Sequence, residues 1–205
     1  MELTVTQENF SKSLSAVGRV ASTKTQLPIL SNILLRTDGS RLLVAATNLE
    51  IATTQYIGAK IVKPGAITVP ARLITEFVSS LPKGSIELKV VGENIHISSG
   101  KYKSIINGFI ADDFPELPTI NEQDSVSYSI NIEEFKQAVS QTIITSSSDS
   151  TRPILTGVYW HSHEGWIYLA STDGYRLSER RLVETAGEVA AIIPSQTLQE
   201  VLRTV

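Results

Sequence analysis

The chain repeats itself at long range, and that repeat bounds every architecture open to it. Glu8, Phe10, Ser15, Pro28, Ile29, Leu30, Ala45 and Thr47 recur as Glu133, Phe135, Ser140, Pro153, Ile154, Leu155, Ala170 and Thr172, each pair 125 positions apart. Similar residues fill the register, as in Val5 with Ile130, Leu14 with Val139, and Asn48 with Asp173. After a one-residue deletion, Val69-Pro70, Ile74 and Glu76 return as Ile193-Pro194, Leu198 and Glu200 at an offset of 124. A register kept over so long a stretch marks a duplicated folding unit rather than two unrelated segments. The first copy runs on through Ile86 to Leu117, whereas the second reaches Val205, the counterpart of Leu81. The comparison predicts that the second unit is truncated, with about 36 of its residues beyond Val205.

Within each copy the hydrophobic spacing alternates between the strand and helix periods. Leu3–Thr6 reads as a strand, and Thr6 as the cap of a helix whose stripe is Phe10, Leu14 and Val17. Strands are expected at Ile29–Arg36, Leu42–Ala46 and Ile51–Ile57, with Asp38-Gly39 as a hairpin turn. The pattern then restarts. Ile67–Val69 is a strand, Pro70 opens a helix striped by Ile74, Phe77, Val78 and Leu81, and Gly84 ends it. Ile86–Val91, Ile95–Ser98 and Tyr102–Phe109 follow as three strands. A strand–helix–three-strand unit therefore occurs twice within residues 1–117. In the second copy Asn131 begins a helix with Glu134 in capping-box position and Phe135 and Val139 on its stripe. Leu198, Val201, Leu202 and Val205 form the stripe of the helix that follows. A stretch rich in Asp, Pro and Glu, Asp112–Asp124, connects the copies. The expected division is a first domain over 1–120, a linker over 121–127 and a truncated second domain over 128–205. The fold class is α+β, with duplicated β-α-β-β-β units whose helices pack on one face of antiparallel sheets.

Composition narrows the function. With no Cys there is no disulfide framework, thiolate metal site or cysteine nucleophile, and a reducing cytoplasm is the compartment expected. The net charge of −3 gives no global attraction to nucleic acid, so a basic surface has to be local. No apolar run matches a membrane span, and Met1–Glu8 lacks the pattern of a signal peptide.

Several motifs resemble one family. Leu-Pro-Ile-Leu-Ser-Asn-Ile-Leu-Leu (27–35), Ala-Thr-Asn-Leu-Glu (46–50), Val-Pro-Ala-Arg (69–72) and Asp-Phe-Pro (113–115) are similar to the first domain of bacterial DNA sliding clamps, the β subunit of DNA polymerase III. Ser-Thr-Asp-Gly-Tyr-Arg-Leu (171–177) is similar to the second domain of that family. The resemblance implies a DNA-clamp (processivity) fold, with three such domains per chain and two chains closed head to tail around double-stranded DNA. This chain would hold domain one and most of domain two, with domain three absent.

By that resemblance the helices line the DNA passage. Lys24 and Arg72 match positions that touch DNA. Lys12, Arg19, Lys136 and Arg203 add positive charge on or just after the helices, and Lys83 follows the second of them. Phosphate contacts of this kind are independent of base sequence and sensitive to salt. Pro153 and Ile154 belong to a DNA-near loop in which Asp149 opposes phosphate. A second surface receives short peptides of the replicative DNA polymerase, the clamp loader and repair proteins. Its domain-two wall matches Arg152, Leu155, Thr172, Gly174, Tyr175, Arg176 and Leu177, with Gly174 allowing close backbone approach. A third surface is the subunit interface of the head-to-tail homodimer, carried by an edge strand with Lys103, Ser104, Ile105 and Ile106. By itself the chain is expected to be monomeric or to make adventitious edge contacts.

No membrane partner, cofactor or metal is expected. His161-x-His163 places two imidazoles on one strand face with no third ligand spaced nearby. Nucleotide-binding and nucleophile-elbow motifs are absent from the sequence, so the chain is expected to be a non-catalytic subunit. Two other classes compete: a repeat-built interaction scaffold without DNA, and a small hydrolase using Asp and His. Salt-dependent DNA affinity without turnover separates the clamp from both.

Overall fold

The computed structural model describes residues 1–21, 27–118 and 125–203, which divide into two compact units, Met1–Pro118 and Thr119–Val205. In the first unit the elements run β1 (Glu2–Thr6), α1 (Gln7–Val17), β2 (Asn32–Asp38), β3 (Arg41–Thr47), β4 (Ala52–Gly58) and β5 (Lys60–Lys63). They continue as β6 (Ala66–Pro70), α2 (Ala71–Ser80), β7 (Ser85–Val91), β8 (Asn94–Ser99) and β9 (Tyr102–Asn107).

The two copies of the strand–helix–strands unit exchange their first strands. One antiparallel sheet has the order β5-β1-β7-β8-β9, so β1 joins the strands of the second copy. The other has the order β4-β3-β2-β6, so β6 joins the strands of the first. Phe10, Leu14 and Val17 of α1 and Ile74 and Val78 of α2 are fully buried with inward residues of both sheets, including Leu3, Ile86, Leu88, Ile33, Leu35 and Val44. This single core explains the helix stripes. α1 and α2 also pack on each other.

Several boundaries differ from the sequence expectation for physical reasons. Pro28 has no backbone N–H to give to a strand ladder, so Pro28–Ser31 forms a 3-10 turn and β2 begins only at Asn32. Lys60–Lys63 forms an additional short strand, because β1 accepts a partner on its open side through Leu3–Ile61 pairing. Thr6 stands at the N-cap of α1, but its side chain makes no capping hydrogen bond. α2 ends at Ser80, ahead of Gly84. β9 ends at Asn107, and Phe109 instead bridges to Thr68 of β6. Asp112–Asp124 is not a plain linker throughout: Ala111–Asp113 forms a 3-10 turn, and Phe114 is buried against Leu34, Leu43 and Ala45. That segment covers the face of β2 and β3 opposite the helices. Residues 33–35 and 42–46 are therefore apolar without alternation, as expected for strands covered on both faces.

The second unit contains α3 (Ile132–Ile143), β10 (Gly157–His163), β11 (Trp166–Thr172), β12 (Leu177–Glu184), β13 (Ala190–Pro194) and α4 (Ser195–Leu202). The sheet order β12-β11-β10-β13 repeats β4-β3-β2-β6 strand for strand. Asn131 caps α3, its Oδ1 accepting from the N–H groups of Glu133 and Glu134. Val139, Val158, Trp160, Ile167, Leu169 and Leu198 form the core. Val205, expected on the stripe of α4, lies outside the described residues. No helix among the described residues is long and apolar enough to cross a membrane.

Candidate functional site

In the second unit the site grows out of one turn. Thr172 ends β11, and its hydroxyl accepts from the Gly174 N–H at 3.0 Å and donates to the Arg176 carbonyl at 2.7 Å. Asp173 Oδ1 accepts from the Tyr175 and Arg176 N–H groups, both at 3.0 Å, and its Oδ2 takes the Arg176 Nε at 2.9 Å. The Tyr175 N–H first, then the Arg176 guanidinium and N–H, hold the Asp173 carboxyl down to about 2. Gly174 sits at φ +94°, which a Cβ would oppose. The first unit builds the same turn. Thr47 accepts from Leu49 N–H at 3.0 Å, and Asn48 Oδ1 accepts from Glu50 and Ile51 at 3.0 and 2.8 Å. Leu49 occupies the glycine position at φ +74°. These side-chain-to-backbone bonds are the physical content of the repeated Thr-Asn/Asp motif.

The turn is set against α3 by a buried hydroxyl cluster. Thr145 Oγ1 and Ser171 Oγ lie 2.6 Å apart, and both reach the Thr142 carbonyl at the end of the helix. Beyond it, Asp149 takes Arg152 Nε at 3.0 Å, and the Ser147 N–H donates to the Leu155 carbonyl at 2.8 Å. Asp149 is held below the usual carboxylate range chiefly by the Thr151 hydroxyl and N–H, with Arg152 adding to them.

Between these loops an apolar cavity of about 370 Å³ opens on the sheet face away from the helices. Leu155, Thr172 and Leu177, three of the residues expected in the peptide wall, line it, and Ile154, expected in the DNA-near loop, joins them. Leu177 and Ile154 are 68% and 70% exposed, so both offer apolar surface to solvent. Arg152, Gly174 and Arg176 stand on the adjoining loops, and Tyr175 is 96% exposed and outside the lining. Sequence reasoning missed Gly157, Tyr159, Ala170 and Ile192, which form the floor. Part of their signal was present in β10, where Gly157 and Tyr159, two positions apart, share one face. A Cβ on Gly157 would stand 2.4 Å from Ile192 Cγ2, so glycine is what lets Ile192 fill the floor. At the equivalent place in the first unit, Asn32 instead bonds the Thr68 hydroxyl at 3.3 Å.

Among the described residues the basic candidates are on the helices and just beyond them, each exposed or half-buried and most of them ion-paired. Arg19 and Arg72 border one groove between α1 and α2. Arg72 Nε lies 2.7 Å from Glu76, Lys136 Nζ 3.6 Å from Glu133, and Lys83 Nζ 2.6 Å from Glu8. Arg203 pairs with Glu200. Lys12 is exposed on α1. Lys24 lies outside the described residues. Pro153 shares a 3-10 turn with Ile154, and of the two Ile154 lines the cavity.

β9 pairs with β8 on one side only, and so is a sheet edge. Ile105 is 61% exposed and Ile106 is buried in the core, while Lys103 is exposed and Ser104 half-buried. His161 stacks between Tyr159 and Tyr168, at 4.7 and 5.6 Å between ring centroids. Among the described residues no group of three or more His, Cys, Asp or Glu side chains is placed to hold a metal.

Duplicated antiparallel sheets with paired helices and this turn define the sliding-clamp class. The structure superposes on the DNA polymerase sliding clamp of Bacillus subtilis with a TM-score of 0.92 at 28% identity, covering 100% of this chain and 57% of that one. A Pseudomonas aeruginosa sliding clamp bound to griselimycin gives a TM-score of 0.87 at 26% identity, covering 100% of this chain and 56% of that one. The beta sliding clamp of Synechococcus elongatus is 32% identical over 214 residues, covering 100% of this chain and 56% of that protein. The family model for the N-terminal domain of the DNA polymerase III beta subunit matches residues 1–118, and that for its central domain matches 129–205. The chain belongs to the DNA polymerase III beta subunit family. It spans about half the length of the curated relatives it matches.

Proposed function

We propose that this chain supplies the first and second domains of a sliding clamp: a processivity factor that encircles double-stranded DNA and tethers the replicative DNA polymerase to it. In this reading the ring is a head-to-tail homodimer of longer chains, with the β9 edge, Lys103–Asn107, pairing across the subunit boundary. The protein does no chemistry of its own, works in the cytoplasm, and any polymerase activity is that of its partners. The observation that carries the reading is the tiling of both units by consecutive domains of one clamp family.

The charge distribution supports it. Lys12, Arg19, Arg72, Lys136 and Arg203 sit on or just after helices, and most are balanced by a nearby carboxylate. Helices charged in this way attract phosphate weakly and without regard to base sequence, as a ring that must slide requires. Retention then comes from topology rather than from adhesion. The apolar cavity by Leu155 and Leu177, rimmed by Arg152 and Arg176, receives the peptides of the polymerase, clamp loader and repair proteins.

Fluorescence anisotropy on a labelled duplex tests the DNA half of the reading. The chain is expected to bind weakly, equally across sequences, with log K falling linearly in log salt. Binding that ignores salt, or any nucleotide turnover by the purified chain, sinks it.

A further inference from the structure

α1 and α2 of the first unit pack on each other, yet a cleft of about 470 Å³ remains between them, a size that holds a small organic molecule. Leu14, Gly18 and Ala21 form one side of it, and Pro70, Ala71 and Thr75 the other. Apart from Thr75 these walls are apolar. Gly18 is where the helices come closest: a Cβ there would stand 2.8 Å from the Leu14 carbonyl oxygen and 3.6 Å from Thr75 Oγ1. Thr75 Oγ1 is buried and bonds no partner among the described residues. A hydroxyl so placed gains from any acceptor brought against it. Charge is set on the rim. Arg19 and Arg72 border the cleft, and so does Glu76, which takes Arg72 through Nε at 2.7 Å. Two guanidiniums against one carboxylate leave a single positive charge, which matches a monoanion. A dianion would meet the Glu76 carboxylate with twice the repulsion. A guanidinium engaged through Nε keeps its terminal nitrogens for a second pair of oxygens, and a planar carboxylate fits that fork.

We propose that the cleft between α1 and α2 binds a small organic carboxylate, its aliphatic or aromatic body between Leu14 and Ala71 and its single charge against Arg19 and Arg72. The apolar walls disfavour a bare anion, which would give up hydration there and gain no packing. The rim charge in turn favours the carboxylate over a neutral molecule of the same shape. The proposal stands on this cleft and not on the clamp reading. It has one consequence for that reading: a molecule held by Arg19 and Arg72 takes from the duplex two of the cations that attract it.

The test titrates 2-naphthoate into the 205-residue chain, with backbone amide resonances followed by NMR. Saturable shifts are expected at Gly18, Arg19, Ala71 and Thr75. 2-Naphthamide, the same body without the charge, should bind at least fivefold more weakly, and inorganic phosphate should give no saturable shift at these residues. Ser15→Phe, which sets a ring at the mouth of the cleft from an exposed position, should weaken naphthoate at least tenfold. Arg72→Gln should weaken it at least threefold and the near-isosteric Thr75→Val at least twofold, with circular dichroism melting to show that each variant keeps its fold. Equal binding of the amide overturns the proposal by reducing the cleft to apolar contact. Phosphate shifting the same resonances overturns it by making the cleft a bare anion site. Binding that Ser15→Phe leaves untouched, or no saturable shift at these residues, overturns it as well. Anisotropy on the labelled duplex separates the proposal from the clamp reading. If naphthoate does not bind while duplex affinity keeps its salt slope, the proposal falls and the clamp reading stands. If naphthoate binds while duplex affinity ignores salt, the proposal stands alone. Where both bind, saturating naphthoate should lower duplex affinity at least twofold, and an unchanged affinity removes Arg19 and Arg72 as the seat of the charge.

Discussion

Leu49 and Gly174 occupy one position in two copies of the same turn, at φ +74° and +94°. The Thr and Asn or Asp side chains before them capture backbone N–H groups and impose that left-handed conformation whatever residue stands there. Leucine suffers steric cost in it and glycine does not. Leu49 is largely exposed, so Leu49→Gly gives up little packing. It is expected to stabilise the first unit by up to about 1 kcal/mol in a denaturant titration, whereas Gly174→Leu destabilises the second by a similar amount. Asp173 gives a pH signature. Its carboxyl titrates at about 2 in the fold, below the ordinary value of 3.8. A depressed folded-state value means that the turn's contribution is complete above the unfolded value and is lost as pH falls through about 2. Carboxyl-carbon NMR should place the Asp173 midpoint near 2 and, in Arg176→Ala, closer to the ordinary value. The repeat also trades partners in a cation–π pair: Arg41 lies 4.5 Å from the Tyr56 ring centre, and at the equivalent positions Trp166 receives Arg181 at 4.2 Å.

At the scale of elements, the helices carry most of their basic residues beside a counter-charge. The Arg72–Glu76 pair follows from i, i+4 spacing on α2, and both side chains are well exposed. Glu76→Gln should raise duplex affinity about twofold to fivefold at low salt, the range an exposed ion pair can withhold. Arg72→Ala should lower the salt slope by about 1. The control is Glu87→Gln on β7, in the other sheet from α2's strand partners, which changes net charge equally and should leave the affinity unchanged; anisotropy on a labelled duplex reads all three. The β9 edge divides its two isoleucines. Ile105→Lys should reduce any self-association seen by sedimentation and leave folding intact, because the side chain is mostly in solvent. Ile106→Lys should unfold the first unit, since it places a charge in the core.

At the scale of each unit, the exchange of first strands ties two copies of a simple motif into one core. β1 and β6 each leave their own copy for the sheet of the other, so neither copy can bury its helix alone. Phe114 closes the remaining face of the first unit. Phe114→Ala should cost about 3 kcal/mol in that unit, read as a lower melting transition for probes in residues 1–118 and no change for those in 129–203.

Sequence alone determined the duplication, the helix stripes and the hairpin at Asp38-Gly39, because each is written in local spacing or turn chemistry. The family resemblance, rather than local spacing, grouped Leu155, Thr172 and Leu177 in one expected wall. Tertiary structure decided which sheet β1 and β6 would join, where Phe114 would settle, and that Gly157, Tyr159, Ala170 and Ile192 would share a floor with Leu155. Periodicity reports which side of a strand is apolar, but not what lies against it. Phe114 reads as part of a polar linker because the residues around it are Asp, Pro and Glu, and only the surface left open by β2 and β3 gives it a place to be buried.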